Sequence, residues 1–474
     1  MDFPLIGAAD TGDTAWMLAS SALVLLMTPG LAFFYGGMVR AKGVLNMMMM
    51  SLSAMGVVTV LWVLYGFSVA FGEDKGNFFG DPAQYFGLKG LIGGTYLATA
   101  AVPAADGTPA VDATTSAIPL AGTIPATVFV AFQLMFAIIT VALISGAIAD
   151  RMRFGPWLIF AGLWATLVYF PVAHWVFAFD GFTGVHGGWI ANRLKAIDFA
   201  GGTAVHINAG AAGLVLAIVL GKRRGWPKEP MRPHNLPFVM LGAGLLWFGW
   251  YGFNAGSAVG SNGVAGATFI TTTVATAAAM LAWLLTERLR DGHATSLGAA
   301  SGIVAGLVAI TPSCSSVDIV GALLIGVVAG VLCALAVGLK YRFGFDDSLD
   351  VVGVHLVGGI IGTLMVGVVA NPDAPAAVSS ILHGGSFDQL GKQAIGAGAV
   401  LLYSLVGTTI IALALKYTIG LRLDEESEAM GIDDAEHAET AYDFATLGSL
   451  GRTNVASAHT STHAPVAAPA GREG

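Results

Sequence analysis

Apolar residues in this chain gather in long unbroken runs, not in the alternation of a strand or the one-sided stripe of a surface helix. A helix needs roughly 20 apolar residues to cross a bilayer. Eleven runs qualify or nearly so: 14–38, 46–71, 124–149, 156–178, 199–220, 236–256, 264–286, 295–311, 317–339, 351–370 and 395–419. The shortest, 295–311, carries Gly298, Gly302 and Gly306, two consecutive GxxxG steps that let membrane helices approach closely. The pattern predicts an all-α polytopic membrane protein with eleven transmembrane helices.

A shorter polar pattern is superposed on two of these runs. Asp198 stands eight residues before His206 in DFAGGTAVHINAGAAG, and Asp347 stands eight before His355 in DSLDVVGVHLVGGIIG. Ala209, Gly210 and Gly213 follow the first histidine with the spacing that Gly358, Gly359 and Gly362 follow the second. Eight helical residues rise about 12 Å, and half the hydrocarbon core is about 15 Å. An Asp at each interface therefore puts both imidazoles near the midplane, entered from opposite faces. Five helices, five inverted helices and one more is the economical architecture, with a paired site at the repeat interface.

Basic residues orient the chain. With the N-terminus outside, fifteen Lys and Arg fall in inside loops or at inner helix ends, against five outside: Lys75, Lys89, Arg193, Lys195 and Lys392. The bias predicts N-terminus out, C-terminus in. Asp2, Asp10 and Asp13 precede the first run instead of a basic segment, so no cleaved leader is expected. The loop 72–123 is rich in Gly, Ala, Thr and Pro and reads as an irregular surface segment.

Composition agrees. Of 474 residues 55% are hydrophobic and only 11% charged, against about 25% charged in a soluble domain; the mean hydropathy is +0.74. The net charge of −8 sits mostly in the tail, where ten acids stand against three bases from 421 onward. The chain divides into a membrane domain, 1–420, and an acidic cytoplasmic tail, 421–474, expected to be disordered toward its end. Nothing in the charge suggests nucleic-acid binding. The two cysteines, Cys314 and Cys333, have neither metal-like nor disulfide-like spacing, and no cofactor is expected.

The candidate chemistry is sparse. Neutral imidazole both donates and accepts, so His206 and His355 together can share a hydrogen bond and pass a proton; the bland alternative is two structural histidines bonded to carbonyls. Asp198 reads first as a helix cap, a role compatible with attracting a cation. Asp347 and Asp350 read as caps of the tenth helix. FQLMF (132–136) and WFGWYGFNAGS (247–257) place Phe136, Trp250, Phe253 and Ser257 on apolar helices, where aromatic faces can hold a cation in place of water; each alone reads first as core or lipid-facing packing.

At this point the residues resemble a known family. DFAGGTAVHINAGAAGLVLAIVLGKR (198–223) is similar to the signature of the ammonium transporter family, Amt/Mep/Rh, on its Amt branch. GFNAGS (252–257), TPSC (311–314), DVVGVHLVGGIIG (350–362) and GLRL with its acidic continuation (420–428) match in order. The resemblance runs to about residue 443. It implies eleven helices, N-terminus out, a homotrimer in the cell membrane and one narrow pore per subunit. It implies that Ser257 and nearby aromatics recruit ammonium or methylammonium outside, that Phe136 and Phe253 are stacked gate rings, that His206 and His355 are paired pore histidines, and that Asp198 lies near the recruitment site. A PII-class signal protein is the implied cytoplasmic partner. One departure stands out: the family commonly has HWVWGGG where this chain reads HWVFAFDGF (174–182). Phe177 then occupies the expected place of a recruitment-site tryptophan, with Trp189 of HGGW (186–189) a possible substitute. The function implied is ammonium uptake, with an ammonium sensor signalling through the tail as the rival. An enzyme is not expected, since no HExxH or Ser–His arrangement occurs at matching depth.

Overall fold

In the computed structural model, residues 3–92, 118–229 and 231–442 are described. Among the described residues ten helices are long and apolar enough to span a bilayer, and an eleventh is shorter. They are α1 Thr11–Met38, α2 Val44–Phe71, α3 Ala126–Ile148, α4 Phe154–Phe177, α5 Gly202–Leu220, α6 Leu236–Ala258, α7 Gly263–Asp291, α8 Ser296–Ile310, α9 Ile319–Phe343, α10 Val352–Val369 and α11 Asp388–Thr418. Each coincides with one of the eleven apolar runs. A chain in hydrocarbon must satisfy its backbone internally, so the length of an apolar run nearly dictates the helix.

The short α8 owes its place to its glycines. A Cβ on Gly302 would stand 2.9 Å from Met280 Cα, and one on Gly306 would stand 2.8 Å from Thr276 Cα. The GxxxG face thus lies directly on the α7 backbone.

The glycine pattern after each histidine is used reciprocally. A Cβ on Gly210 would meet the Leu356 backbone N at 2.5 Å, and one on Gly359 would meet the Ile207 backbone N at 3.1 Å. Gly210 and Gly359 hold equivalent places in the two repeats, as do Ile207 and Leu356. Reciprocal contact of equivalent residues is the mark of a local two-fold relation. It presses α5 and α10 together where the histidines lie.

At one end of the bundle three segments are tied by a buried charge cluster. Arg151, after α3, donates to the carbonyls of Gly221, Ala147 and Asp346 and to Ser348 Oγ. Asp346 accepts a forked pair from the Arg223 guanidinium at 2.7–3.1 Å and stands 3.4 Å from Arg151. Burial pushes the Arg151 guanidinium down to about 10, against the opposing pull of Asp346.

The loop 72–123 is partly outside the described residues, as is the tail beyond Tyr442. The described loop portions include short antiparallel pairings, Asp74–Lys75 with Phe79–Gly80 and Ile118–Ala121 with Ile6–Gly7. The tail forms two short helices, α12 Glu425–Met430 and α13 Ile432–His437. The Asp433 carboxylate accepts from the N–H groups of Leu45 (3.0 Å) and Asn46 (2.7 Å) in the first turn of α2. Glu436 accepts from Phe154 N–H at the start of α4. Acidic side chains from the tail thereby cap two membrane helices that offer no capping side chain of their own. Losing a helix cap costs about 0.5–2 kcal/mol, so Asp433→Ala should lower the thermal midpoint in detergent and expose the Leu45 and Asn46 amides to hydrogen exchange. Unchanged protection there would refute the cap.

Candidate functional site

Both histidines sit in π-helical turns, Gly202–Ile207 and Val352–Leu356, before α5 and α10 resume α-helical winding. Such turns often occur at functional sites, and no local sequence signal announced them. The wider turn is anchored below by carboxylates. The N–H groups of Gly201, Gly202, Thr203 and Ala204 donate to Asp198 at 2.6–3.0 Å. Those of Val351 and Val352 donate to Asp347 at 3.2 and 2.8 Å. Asp350 is not a second cap: it takes the Lys340 ammonium at 2.7 Å, because its backbone is left-handed (φ 64°) and turns the side chain away from the helix start.

The imidazoles meet at 3.2 Å, Nδ1 to Nδ1, with ring centroids 5.3 Å apart and planes 17° from parallel. In a neutral pair one Nδ1 must carry the proton and the other the lone pair. The two Nε2 atoms are then complementary, one an acceptor and one a donor. His206 Nε2 is buried and has no hydrogen-bond partner among the described residues.

Packing holds the pair in place. Trp250 lies over His206 at 5.4 Å and 16°. Its indole N–H donates to Thr311 Oγ1 (2.8 Å), whose single proton lies between the Leu307 carbonyl (2.7 Å) and Asn254 Oδ1 (3.2 Å), and the Asn254 amide donates to Thr272 Oγ1 (2.9 Å). This buried chain across α6, α7 and the end of α8 fixes the indole plane; sequence alone did not connect these residues. Beside the histidines a cavity lined by Leu31, Leu143, Val205, Trp250, Phe253 and Val304 leaves about 10 Å³ for the centre of a water-sized molecule. That is near the minimum for a single water, and apart from the imidazoles its wall is made of apolar side chains, Met27 among them.

Phe253 and Phe136 stack at 4.2 Å and 29°, both fully buried. Phe253 is 6.1 Å from His206, and Ser257, one turn along α6, donates its hydroxyl to the Phe253 carbonyl at 2.7 Å. The hydroxyl proton is thereby occupied, and the oxygen lone pairs remain available as acceptors. Ser257 lines an open cavity of about 480 Å³ together with Asp198, Lys195, Phe199 and Ser315. From this cavity the order inward is Ser257, the phenyl pair, His206, His355.

Two sequence candidates stand elsewhere. Phe177 is buried 6.5 Å behind Phe136 and is not in the wall of the open cavity. Trp189 packs on Trp175 at 6.0 Å, likewise away from that wall.

The fold and the site define a polytopic membrane protein with two touching imidazoles buried beside a small apolar cavity in its helix bundle. The profile of the Ammonium Transporter Family matches residues 15–442. The chain is 73% identical over 449 residues to the ammonium transporter of Mycobacterium tuberculosis, covering 94% of this chain and 92% of that one. It is 47% identical over 437 residues to the ammonium transporter of Aquifex aeolicus, covering 92% and 94%. Among solved structures it is similar to Candida albicans Mep2, with a TM-score of 0.76 and 32% identity over 88% of each chain. It is also similar to a sensor Amt protein, with a TM-score of 0.78 and 28% identity over 90% of this chain and 98% of that one. The chain belongs to the ammonium transporter family and is a multi-pass membrane protein.

Proposed function

We propose that the chain takes up ammonium across the cell membrane as a homotrimer, N-terminus out, each subunit conducting through its own path. The observation that carries this reading is the His206–His355 contact at the inner end of an apolar, phenyl-gated path. Ammonium arriving in the open cavity can donate to Ser257 Oγ and exchange part of its hydration for the aromatic rings in the cavity wall, Phe179 and Phe199, with the stacked Phe136 and Phe253 buried beneath. The bare ion is disfavoured beyond, where the path has room for about one small molecule and carbon walls. Ammonia is small and can hydrogen-bond to the imidazoles, while the pair relays the proton by exchanging which Nδ1 is protonated. The phenyl rings close the path at rest, so each passage needs a ring rotation. Asp198 is saturated with backbone donors; its part is to hold the turn that carries His206, with a long-range attraction for cations.

Purified protein in liposomes under an inward ammonium gradient should carry a current; no ammonium-dependent current or methylammonium uptake would refute transport. Hydrogen bonds to charged groups are worth about 1.5–3 kcal/mol. With solvent reaching the cavity, Ser257→Leu should raise the half-saturating methylammonium concentration by ~10-fold, near the low end of that range. An unchanged value would remove Ser257 from recruitment.

The second reading is a sensor that binds ammonium and signals through its tail. Its support is the likeness to the sensor Amt protein and the docking of α13 on the ends of α2 and α4. A PII-class protein would bind over this same acidic surface. The tail engages the basic loop 222–232 chiefly through Glu428, which accepts Arg224 N–H at 2.7 Å and pairs with Arg422. A sensor would show little current in the liposome measurement.

A further inference from the structure

The open cavity contains a charge opposite to the one its proposed role calls for. Two ionisable residues line it, Asp198 and Lys195. Asp198 spends both carboxylate oxygens on four backbone N–H groups. Lys195 is exposed and, among the described residues, forms no ion pair and donates no side-chain hydrogen bond. Two other lysines on this side are paired, Lys75 at 3.1 Å from Asp81 and Lys392 at 2.6 Å from Asp388, whereas Lys89, likewise without a side-chain partner among the described residues, is not in the cavity wall. The position is also built. Lys195 closes the π-helical turn Ile190–Leu194 in a left-handed conformation, φ 57° and ψ 37°, where a non-glycine residue is uncommon. That backbone directs its Cβ by geometry instead of leaving it to a freely varying loop.

Resting on the ammonium-uptake reading, we infer that Lys195 is a specificity-determining residue of the recruitment cavity: its unpaired ammonium offsets the long-range attraction of Asp198, weakens the hold on every cation and disfavours multivalent ones most. A sphere of 480 Å³ is about 10 Å across. One unit charge at about 10 Å in an effective dielectric of about 40–80 lowers monovalent occupancy ~2- to 4-fold. For a divalent cation the energy doubles, so the factor is squared, ~4- to 16-fold. Ammonium tolerates the repulsion because it also donates to Ser257 and meets the rings of Phe179 and Phe199 in the cavity wall. A hydrated magnesium ion has no such compensation, because the hydrogen-bonded oxygens of Asp198 offer it attraction at a distance and no inner ligand. The weak hold also serves throughput, since a site that binds too tightly releases its ion too slowly to feed the path.

The test is methylammonium uptake into proteoliposomes by the wild type, K195Q, K195R and K195E, at about 10 mM and about 1 M ionic strength, where the Debye length falls from about 30 to about 3 Å. At low ionic strength the half-saturating concentration should fall ~2- to 4-fold in K195Q and further in K195E, with maximal rates kept. K195R should match the wild type, and all four should converge at high salt. Magnesium should compete with methylammonium in K195Q and K195E more strongly than in the wild type. If K195Q folds poorly its maximal rate falls, and the ordering of K195R against K195E still decides. Equal half-saturation in wild type and K195Q at low salt overturns the inference, as does a K195R shift equal to that of K195Q. Absence of uptake by the wild type itself would overturn the transport reading, and the inference with it.

Discussion

Substituting His206 with Ala should abolish ammonium-driven current while leaving a folded protein. General acid–base groups contribute about 10²- to 10⁴-fold, so the residual current should fall by at least ~100-fold. His355 would lose its Nδ1 partner at 3.2 Å, and a lone imidazole cannot pass a proton across the gap. The His355→Ala variant should behave alike, and the double variant no worse than either, because the two act as one unit. The thermal midpoint of each variant controls for folding, since Trp250 loses its stacking partner in His206→Ala. Full current with unchanged selectivity against K⁺ in either variant would make the histidines structural.

Asp346→Ala should be the most destabilising single change outside the path. It leaves Arg151 and Arg223, both buried, facing each other without a carboxylate between them. Breaking a buried ion cluster by removing one partner costs about 3–5 kcal/mol. The thermal midpoint in detergent should drop steeply. Asp346→Ala with Arg223→Leu should recover part of the loss, because one stranded charge is gone. A drop no larger than that of an exposed acid such as Asp373 would refute the role given to the cluster.

Much of the geometry of the histidine pair was legible because the membrane narrows the choices. Two imidazoles in matching places of two apolar runs had to lie at similar depth, and Gly210 and Gly359 marked the faces that would meet. What local pattern lacked was any signal for the π turns. Carboxylate capping does not explain them, since Asp10 and Asp318 cap helices that begin as α, and π turns at Trp62–Gly66 and Ala165–Tyr169 have no side-chain cap. The same limit explains Asp350, whose position resembles that of a cap while its left-handed backbone sends it to Lys340. It explains Phe177 too: its place in the motif is one thing, and its burial behind Phe136 depends on how α4 is rotated against α3.

By itself the sequence determined the spans, since hydrocarbon admits only internally bonded helices. It determined the repeat, the histidine pair and the acidic tail, since each is a local count or spacing. Only the tertiary structure decided which residues share a cavity. Trp250 with Thr311, Asp346 with Arg151, Asp433 with Asn46, and Lys195 with Ser257 are separated by 61, 195, 387 and 62 positions. Their meeting depends on helix rotation and crossing, set by close packing of small residues over the whole bundle. Spacing along the chain carries the depth of a residue in the membrane, whereas packing alone carries its azimuth, and a site needs both.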